Sequence, residues 1–198
     1  TLLLHKTLLE LQNVLPKKWD GTIRKMDLDL FGYDGWDNLE QFFRMLNGTI
    51  RYVVLRNFDD LTEKFSSEEH NDIDILTDGD IQLPYVCMTS NSVYSKGKMP
   101  RIIINQNVIP IDWKRSGDNF YDKRWYEDVL NGRVLHKNGF YVPNPFDHLH
   151  TLFYHMIFHK EKISKEYKEK ILSLANDLNI NEISNDMLND FDASKEYI

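Results

Sequence analysis

His70-Asn71-Asp72-Ile73-Asp74-Ile75-Leu76 is the stretch on which the fold of this chain turns. Acidic and apolar residues alternate strictly through it, the pattern of an extended strand with one apolar face. Residues two apart in a strand share a face. Asp72 and Asp74 therefore project together, while Ile73 and Ile75 pack on the other side. Thr77-Asp78-Gly79 then supplies a turn. Two carboxylates so close repel each other, and burying them uncompensated is costly. A hard divalent cation resolves the conflict, and magnesium favours one or two carboxylates completed by phosphate oxygens and water.

Working outward, Arg51-Tyr-Val-Val-Leu-Arg56 is short, β-branched and apolar, a buried strand just before the acidic one. Residues 59–69 carry mixed charge and serines, a short helix or loop between the two. Downstream, Ile81 to Met88 is a further strand candidate, with Pro84 marking an edge or bulge. Residues 91–100 form a polar loop. Arg101 to Asn105 and Val108 to Trp113 are two more strands, with Gln106-Asn107 turning between them. The second of these holds Asp112 in an otherwise apolar setting, facing away from Ile111 and Trp113 by the same parity. If that strand lies beside the first, Asp112 completes a three-carboxylate cluster. The competing reading is an acidic but solvated strand face.

The flanks are helical. Leu2, Leu3, Leu4, Leu8, Leu9, Leu11, Val14 and Leu15 fall largely on one helical face, which Pro16 ends. Trp36 to Leu46 predicts a helix with Leu39, Phe42, Phe43 and Leu46 inward and Asn47-Gly48 as its stop. Asp122 to Leu130 predicts a short helix, and Arg133 to Val142 a small hairpin around Asn138-Gly139. Pro145 stands at a first helical position before Phe146–Lys160. Ser164–Leu178 and Asn181–Phe191 predict two more helices. Helices, then strands, then helices give an α+β class, with a small mixed or antiparallel sheet of about five strands. The expected division is a helical segment over 1–48, a sheet core over 49–145 and C-terminal helices over 146–198, in one compact unit that can be part of a longer multidomain protein.

Composition narrows the function classes. The 198 residues are 41% hydrophobic and 13% aromatic, too apolar for a disordered chain. The formal charge of −7 argues against a general nucleic-acid binder, which needs a basic face to replace counterions. A bound metal could still supply local positive charge for a small anionic substrate. Cys87 is alone, so neither an internal disulfide nor a Cys/His zinc pattern can be built, which points to a reducing, cytoplasmic setting. No stretch reaches the roughly 20 apolar residues that span a bilayer, so membrane insertion is not expected.

A strand ending in Leu55-Arg56, a connecting segment, Asp72-x-Asp74 on the next strand and a lone Asp112 on a later strand resemble the nucleotidyltransferase superfamily typified by DNA polymerase β. Over roughly residues 50–160 the chain is similar to its glycan-biosynthesis branch, the choline-phosphotransferase and fukutin-like group. The resemblance implies that Asp72 and Asp74 bind Mg²⁺ or Mn²⁺. It also implies that Asp112 binds metal or activates the acceptor hydroxyl, so that Asp74 and Asp112 are the catalytic pair. Where the superfamily has a Gly-Ser or Gly-Gly phosphate cradle, this chain has Arg56-Asn57-Phe58. A diphosphate-linked donor, with Arg56 reaching a phosphate, fits that departure better than a free triphosphate.

Other residues have both a functional and a bland reading. Arg56 suits a phosphate contact or a salt bridge to Asp59 or Asp60. Asn71 orients a metal ligand or starts the strand. His155 and His159 lie at i,i+4 on one helical face, a metal-capable spacing, although packed histidines are the commoner outcome. Lys160 could meet a donor phosphate or complement the helix dipole. Lys123 and Arg124, among aromatics just after Asp112, could take phosphate or belong to a capped helix with Trp125 in the core. The expectation is thus a metal-dependent transferase using a nucleotide-diphosphate donor, foremost a glycosyltransferase moving a sugar from a nucleotide sugar to a glycan acceptor. Nucleotidyl or phospho-alditol transfer is the enzymatic alternative. A catalytically inactive domain that binds a nucleotide or a protein is the other.

Overall fold

The computed structural model describes residues 35–59, 61, 72–78, 101–115, 117–160 and 163–190. The leucine-rich stretch before Pro16, the Ile81–Met88 strand candidate and the 91–100 loop lie outside them. The described elements are α1 (Leu39–Thr49), β1 (Tyr52–Val54), β2 (Ile73–Thr77), β3 (Arg101–Ile104), β4 (Asn107–Arg115), α2 (Lys123–Asn131), β5 (Val134–Leu135), β6 (Tyr141–Val142), α3 (Pro145–His159), α4 (Lys165–Asp177) and α5 (Asn185–Asn189). The class is α+β. Four strands form a mixed sheet in the order β1-β2-β4-β3, and β5-β6 is a separate two-stranded ribbon.

Within the main sheet, β1 runs antiparallel to β2, β2 parallel to β4, and β3 antiparallel to β4. The β3–β4 hairpin turns at Asn105-Gln106, both with positive φ (45° and 66°), one residue earlier than the sequence suggests. A two-residue turn of that hand matches strand twist, and asparagine tolerates the left-handed region. The register it sets puts Ile102 opposite Ile109, both buried. A one-residue slip would turn those side chains to the wrong face.

One sheet face is closed by α1. Asn38 caps that helix by accepting from the Gln41 amide (2.9 Å), and the Gln41 side chain accepts in return from the Asp37 amide (2.8 Å). The helix runs on through Gly48 to Thr49, past the expected stop, because Gly48 does not take up a left-handed cap. Instead the Thr49 hydroxyl donates back to the Met45 carbonyl (2.9 Å) and Ile50 N–H to the Leu46 carbonyl (3.0 Å). Leu39, Phe42, Phe43 and Leu46 are its buried stripe, as their spacing predicts, and they pack with Tyr52, Val54, Ile73, Ile75 and Ile111. Burying each such side chain contributes about 1.5–3 kcal/mol.

The opposite face carries Val53, Leu55 and Leu76, covered by Tyr121 and by Tyr126, Val129 and Leu130 of α2. Tyr154 of α3 packs against this cluster. A third cluster joins Leu149, Leu152, Phe153 and Met156 of α3 to Ile171 and Ala175 of α4. Leu76 and Asp74 have the same strand parity. The acidic residues of β2 therefore look toward the α2–α3 side of the sheet, away from α1. No helix among the described residues is long and apolar enough to cross a membrane.

Candidate functional site

The parallel pairing of β2 with β4 sets Asp74 opposite Asp112, with Ile73 opposite Ile111 and Ile75 opposite Trp113. In-register neighbours share a face, and Asp72 lies two residues back on that same face. One carboxylate oxygen from each of Asp72, Asp74 and Asp112 can be chosen so that all lie within 4.8 Å of one another. Magnesium–oxygen bonds are about 2.0–2.1 Å in octahedral geometry, so neighbouring ligands on one ion stand about 2.9 Å apart and opposite ones about 4.2 Å. The donor set is all hard oxygen, and drawing the three carboxylates inward would close it on Mg²⁺ or Mn²⁺. These residues fit a divalent cation.

Two of the three carboxylates already have cationic neighbours. Arg56, which follows β1, is brought beside β2 by the Leu55 N–H bond to the Asp74 carbonyl (3.0 Å). Its Nε donates to Asp74 Oδ2 at 3.2 Å and its Nη2 to Oδ1. The pair is buried, with Arg56 8% and Asp74 6% exposed. Lys114, on the same face of β4 as Asp112, donates to Asp112 Oδ1 at 2.9 Å. Three carboxylates facing two cations leave a net charge of −1, which one divalent ion would turn to +1, a sign suited to an anionic substrate.

The electrostatics agree with that count. Burial raises the Asp74 carboxyl above its ordinary range, the Arg56 guanidinium opposes the rise, and the Asp72 and Asp112 charges add to it. Arg56 is itself raised: burial works against its charge, and Asp74 more than offsets that.

The far end of α3 overlooks the site. Asn144 caps this helix by accepting from the Asp147 amide (3.0 Å), and Pro145 takes its first position. His155 and His159 stack at 5.4 Å one turn apart. Burial lowers His155 to about 3, helped by the charges of Arg56, Lys160, His159 and Lys114. Burial also lowers His159, with Lys114 and Arg56 acting the same way and Asp112 opposing. Phe120 stacks on His159 (4.9 Å) and lies 4.5 Å below the Lys114 ammonium. A cationic and aromatic rim from β4, the 117–121 segment and α3 thus borders the carboxylates.

The structure therefore brings together Asp72, Asp74, Asp112 and Arg56, sets His155 and His159 near enough for the Arg56 charge to act on both, and leaves Lys160 a neighbour of His155. The salt-bridge partner of Arg56 is Asp74 rather than Asp59: its Nε and Nη2 are committed to that carboxylate, which leaves Nη1 without a hydrogen-bond partner. Asp59 pairs instead with Lys170 of α4 at 3.4 Å. Lys123 and Arg124 are exposed in the first turn of α2, where Asp122 accepts from the Arg124 amide (2.9 Å). No contact joins them to the carboxylates among the described residues, and Trp125 packs against Tyr121 and Tyr154 as in a capped helix. Asn71 lies outside the described residues. The three aspartates form the one group with metal-ligand geometry among those residues, so the two histidines are not part of such a group.

Two participants escape a sequence-only reading. Lys114 shares parity with Asp112, and that spacing was the available signal. Tyr121 had no signal, because only the fold buries it against the sheet beside Arg56. No family model matches the chain, and no curated protein or solved structure matches it either.

Proposed function

We propose that the chain is a metal-dependent transferase acting on a nucleotide-diphosphate donor, foremost a glycosyltransferase that passes a sugar from a nucleotide sugar to the hydroxyl of a glycan acceptor. The observation that carries this is the β2–β4 register, which gathers Asp72, Asp74 and Asp112 on one sheet face. Mg²⁺ or Mn²⁺ held there would neutralise donor phosphates and the charge that develops on the departing diphosphate. The chain's own groups divide the remaining work. Asp72 and Asp74 hold the cation, and Arg56 keeps the Asp74 carboxylate ionised and oriented. Asp112, whose other neighbour is the Lys114 ammonium, is placed to accept the acceptor's proton. Phe120 and His159 offer a stacked aromatic surface at the rim.

Nucleotidyl or phospho-alditol transfer is a second reading, favoured by the third carboxylate. A phosphate-centred displacement uses a metal-bound and proton-accepting group on the attacking side, and Asp112 would be that group. The likeness to the polymerase-β-type superfamily noted in the sequence supports this second reading directly. Calorimetric titration with UDP, UDP-sugars, GDP-sugars, CTP and UTP, with Mn²⁺ and with EDTA, tests the proposal. The expected result is Mn²⁺-dependent binding that is strongest for a diphosphate or nucleotide sugar and is lost in Asp74→Asn. Equal affinity with Mn²⁺ and EDTA would refute the metal role. Tightest binding by a triphosphate, with pyrophosphate released on adding an acceptor, would favour nucleotidyl transfer.

A further inference from the structure

Buried donors and acceptors in folded proteins almost always have partners, so the exceptions need a reason. Among the described residues six such side-chain atoms lack a hydrogen-bond partner; besides Trp36 Nε1, Arg133 Nε and His148 Nε2, the remaining three are Arg56 Nη1, Tyr121 Oη and His155 Nδ1. They come from three separate elements: the segment after β1, the loop before α2, and α3. Yet they share one neighbourhood, since the Arg56 charge acts on both Tyr121 and His155, and Asp74 acts on Tyr121. Arg56 and Tyr121 are each only 8% exposed. Their tyrosine neighbours are satisfied: Tyr154 Oη donates to the Phe120 carbonyl (2.8 Å) and Tyr167 Oη to the Leu152 carbonyl (3.2 Å). The unmet atoms of Arg56, Tyr121 and His155 thus stand beside neighbours whose own polar groups are paired.

What they offer is a matched donor set. A guanidinium has five N–H groups, and Asp74 takes one from Nε and one from Nη2, leaving both Nη1 hydrogens and the second on Nη2. A tyrosine hydroxyl donates one hydrogen, and a neutral histidine with its proton on Nδ1 donates another. Burial first, and then the cations around it, disfavour the charged form of His155, so it adds a directed hydrogen bond without a further buried charge. Lys114 and His159 lie at the same place on its more open side. A neutral oxygen could accept from one or another of these donors, but only through weaker bonds. An oxyanion would satisfy all three groups through charge-assisted bonds, which are about twice as strong as neutral ones.

We propose that Arg56, Tyr121 and His155 build a side-chain subsite for one phosphoryl group of the donor, taking the place of the backbone cradle that Arg56-Asn57-Phe58 cannot provide. The inference rests on the reading of the three aspartates as a metal site, because the metal would hold the adjoining phosphate and fix which oxyanion reaches the subsite. Arg56 then has two tasks at once, orienting Asp74 through one edge and binding phosphate through Nη1.

Tyr121→Phe tests this while removing a single oxygen. Inorganic pyrophosphate is the probe, titrated calorimetrically into the full chain with Mn²⁺ and, separately, with EDTA; Mn²⁺ binding alone is measured in parallel. The expected result is pyrophosphate affinity weakened about tenfold in both buffers, equivalent to about 1.4 kcal/mol, with Mn²⁺ affinity unchanged and the melting temperature of the free protein equal or higher. A raised melting temperature with pyrophosphate affinity equal to the parent's would overturn the proposal, since the hydroxyl would then be merely an unsatisfied group. So would failure of the parent chain to bind pyrophosphate in either buffer. If the parent binds no Mn²⁺ yet Tyr121→Phe still weakens pyrophosphate, the subsite stands and the metal reading falls. His155→Phe, which keeps a ring in place and deletes the donor, gives the same discrimination should Tyr121→Phe fold poorly.

Discussion

Replacing Arg56 with methionine separates the two tasks of the buried ion pair. The pair is almost fully enclosed, with side-chain exposures of 9% for Arg56 and 8% for Asp74. Methionine roughly keeps the aliphatic bulk but removes both hydrogen bonds to the carboxylate, leaving a buried, repelled charge. Breaking one partner of a buried pair typically costs about 3–5 kcal/mol. For a chain of this size about 1 kcal/mol corresponds to about 2–4 °C, so Arg56→Met should lower the melting temperature by about 6–20 °C in EDTA. The double substitution Arg56→Met with Asp74→Leu removes both charges and should recover most of the loss.

The pH dependence has a definite sign. The Asp74 carboxyl is already raised in the folded protein by burial, against the pull of Arg56. Without Arg56 it rises further. A raised folded pKa means that the native state binds a proton at higher pH than the unfolded chain does, so stability is gained as pH falls through the folded value. The deficit of Arg56→Met should therefore shrink on acidification, whereas a packing defect would not respond. Mn²⁺ should offset the loss as well: at one hundred times its dissociation constant a ligand adds about 2.7 kcal/mol. Denaturant melts of parent, single and double variants across pH, with and without Mn²⁺, measure all of this. A loss under about 1 kcal/mol, or a double variant no more stable than the single, would refute the picture of Arg56 as the internal counter-ion of Asp74.

Further outcomes follow from other parts of the molecule. His148, packed against Phe58 with ring centres 4.6 Å apart, is lowered by burial to about 4 from an ordinary 6.5. The unfolded chain then binds more protons between those values, so stability should fall as pH drops from about 6.5 to about 4, with a shallower slope in His148→Leu melts. Elemental analysis of purified protein should show no stoichiometric zinc; zinc lost on His155→Ala would contradict the assignment of metal binding to the aspartates. Gly35 has φ of 98°, and an added Cβ would sit 2.9 Å from Ile103 Cγ2, so Gly35→Ala should cost more than about 1 kcal/mol in a denaturant melt.

What could be read from the chain follows the range of the interactions involved. The parity of Asp72 and Asp74, the inward stripe of α1 and the start of α3 at Pro145 depend on neighbours within a turn or a strand, and the fold reproduces them. The turn after β3 was misplaced by one residue because Asn105, Gln106 and Asn107 are all competent turn residues. The choice is made by the Ile102–Ile109 pairing, a feature of the hairpin as a whole. The adjacency of β2 and β4 could be posed only as a condition. These strands pair in parallel with residues 78–106 between them, and no local signal specifies which distant strand becomes the neighbour.

Arg56 shows the same limit in one side chain. Asp59 and Asp60 are its nearest acidic residues in sequence, and they were the natural candidates for a salt bridge. Proximity along the chain is a weak guide here, because an exposed pair contributes little. The deciding factor is burial: once Leu55 hydrogen-bonds across to Asp74, the next side chain enters a closed space with a carboxylate whose charge must be met. Desolvation makes the long-range partner the necessary one and leaves Asp59 for Lys170 at the surface. The same closure creates the unmet donors of Arg56, Tyr121 and His155. Each of these residues taken alone reads as ordinary core. Only when one fold has buried all three beside a cluster of carboxylates does their shared lack of partners appear, and the proposed anion subsite rests on that joint burial.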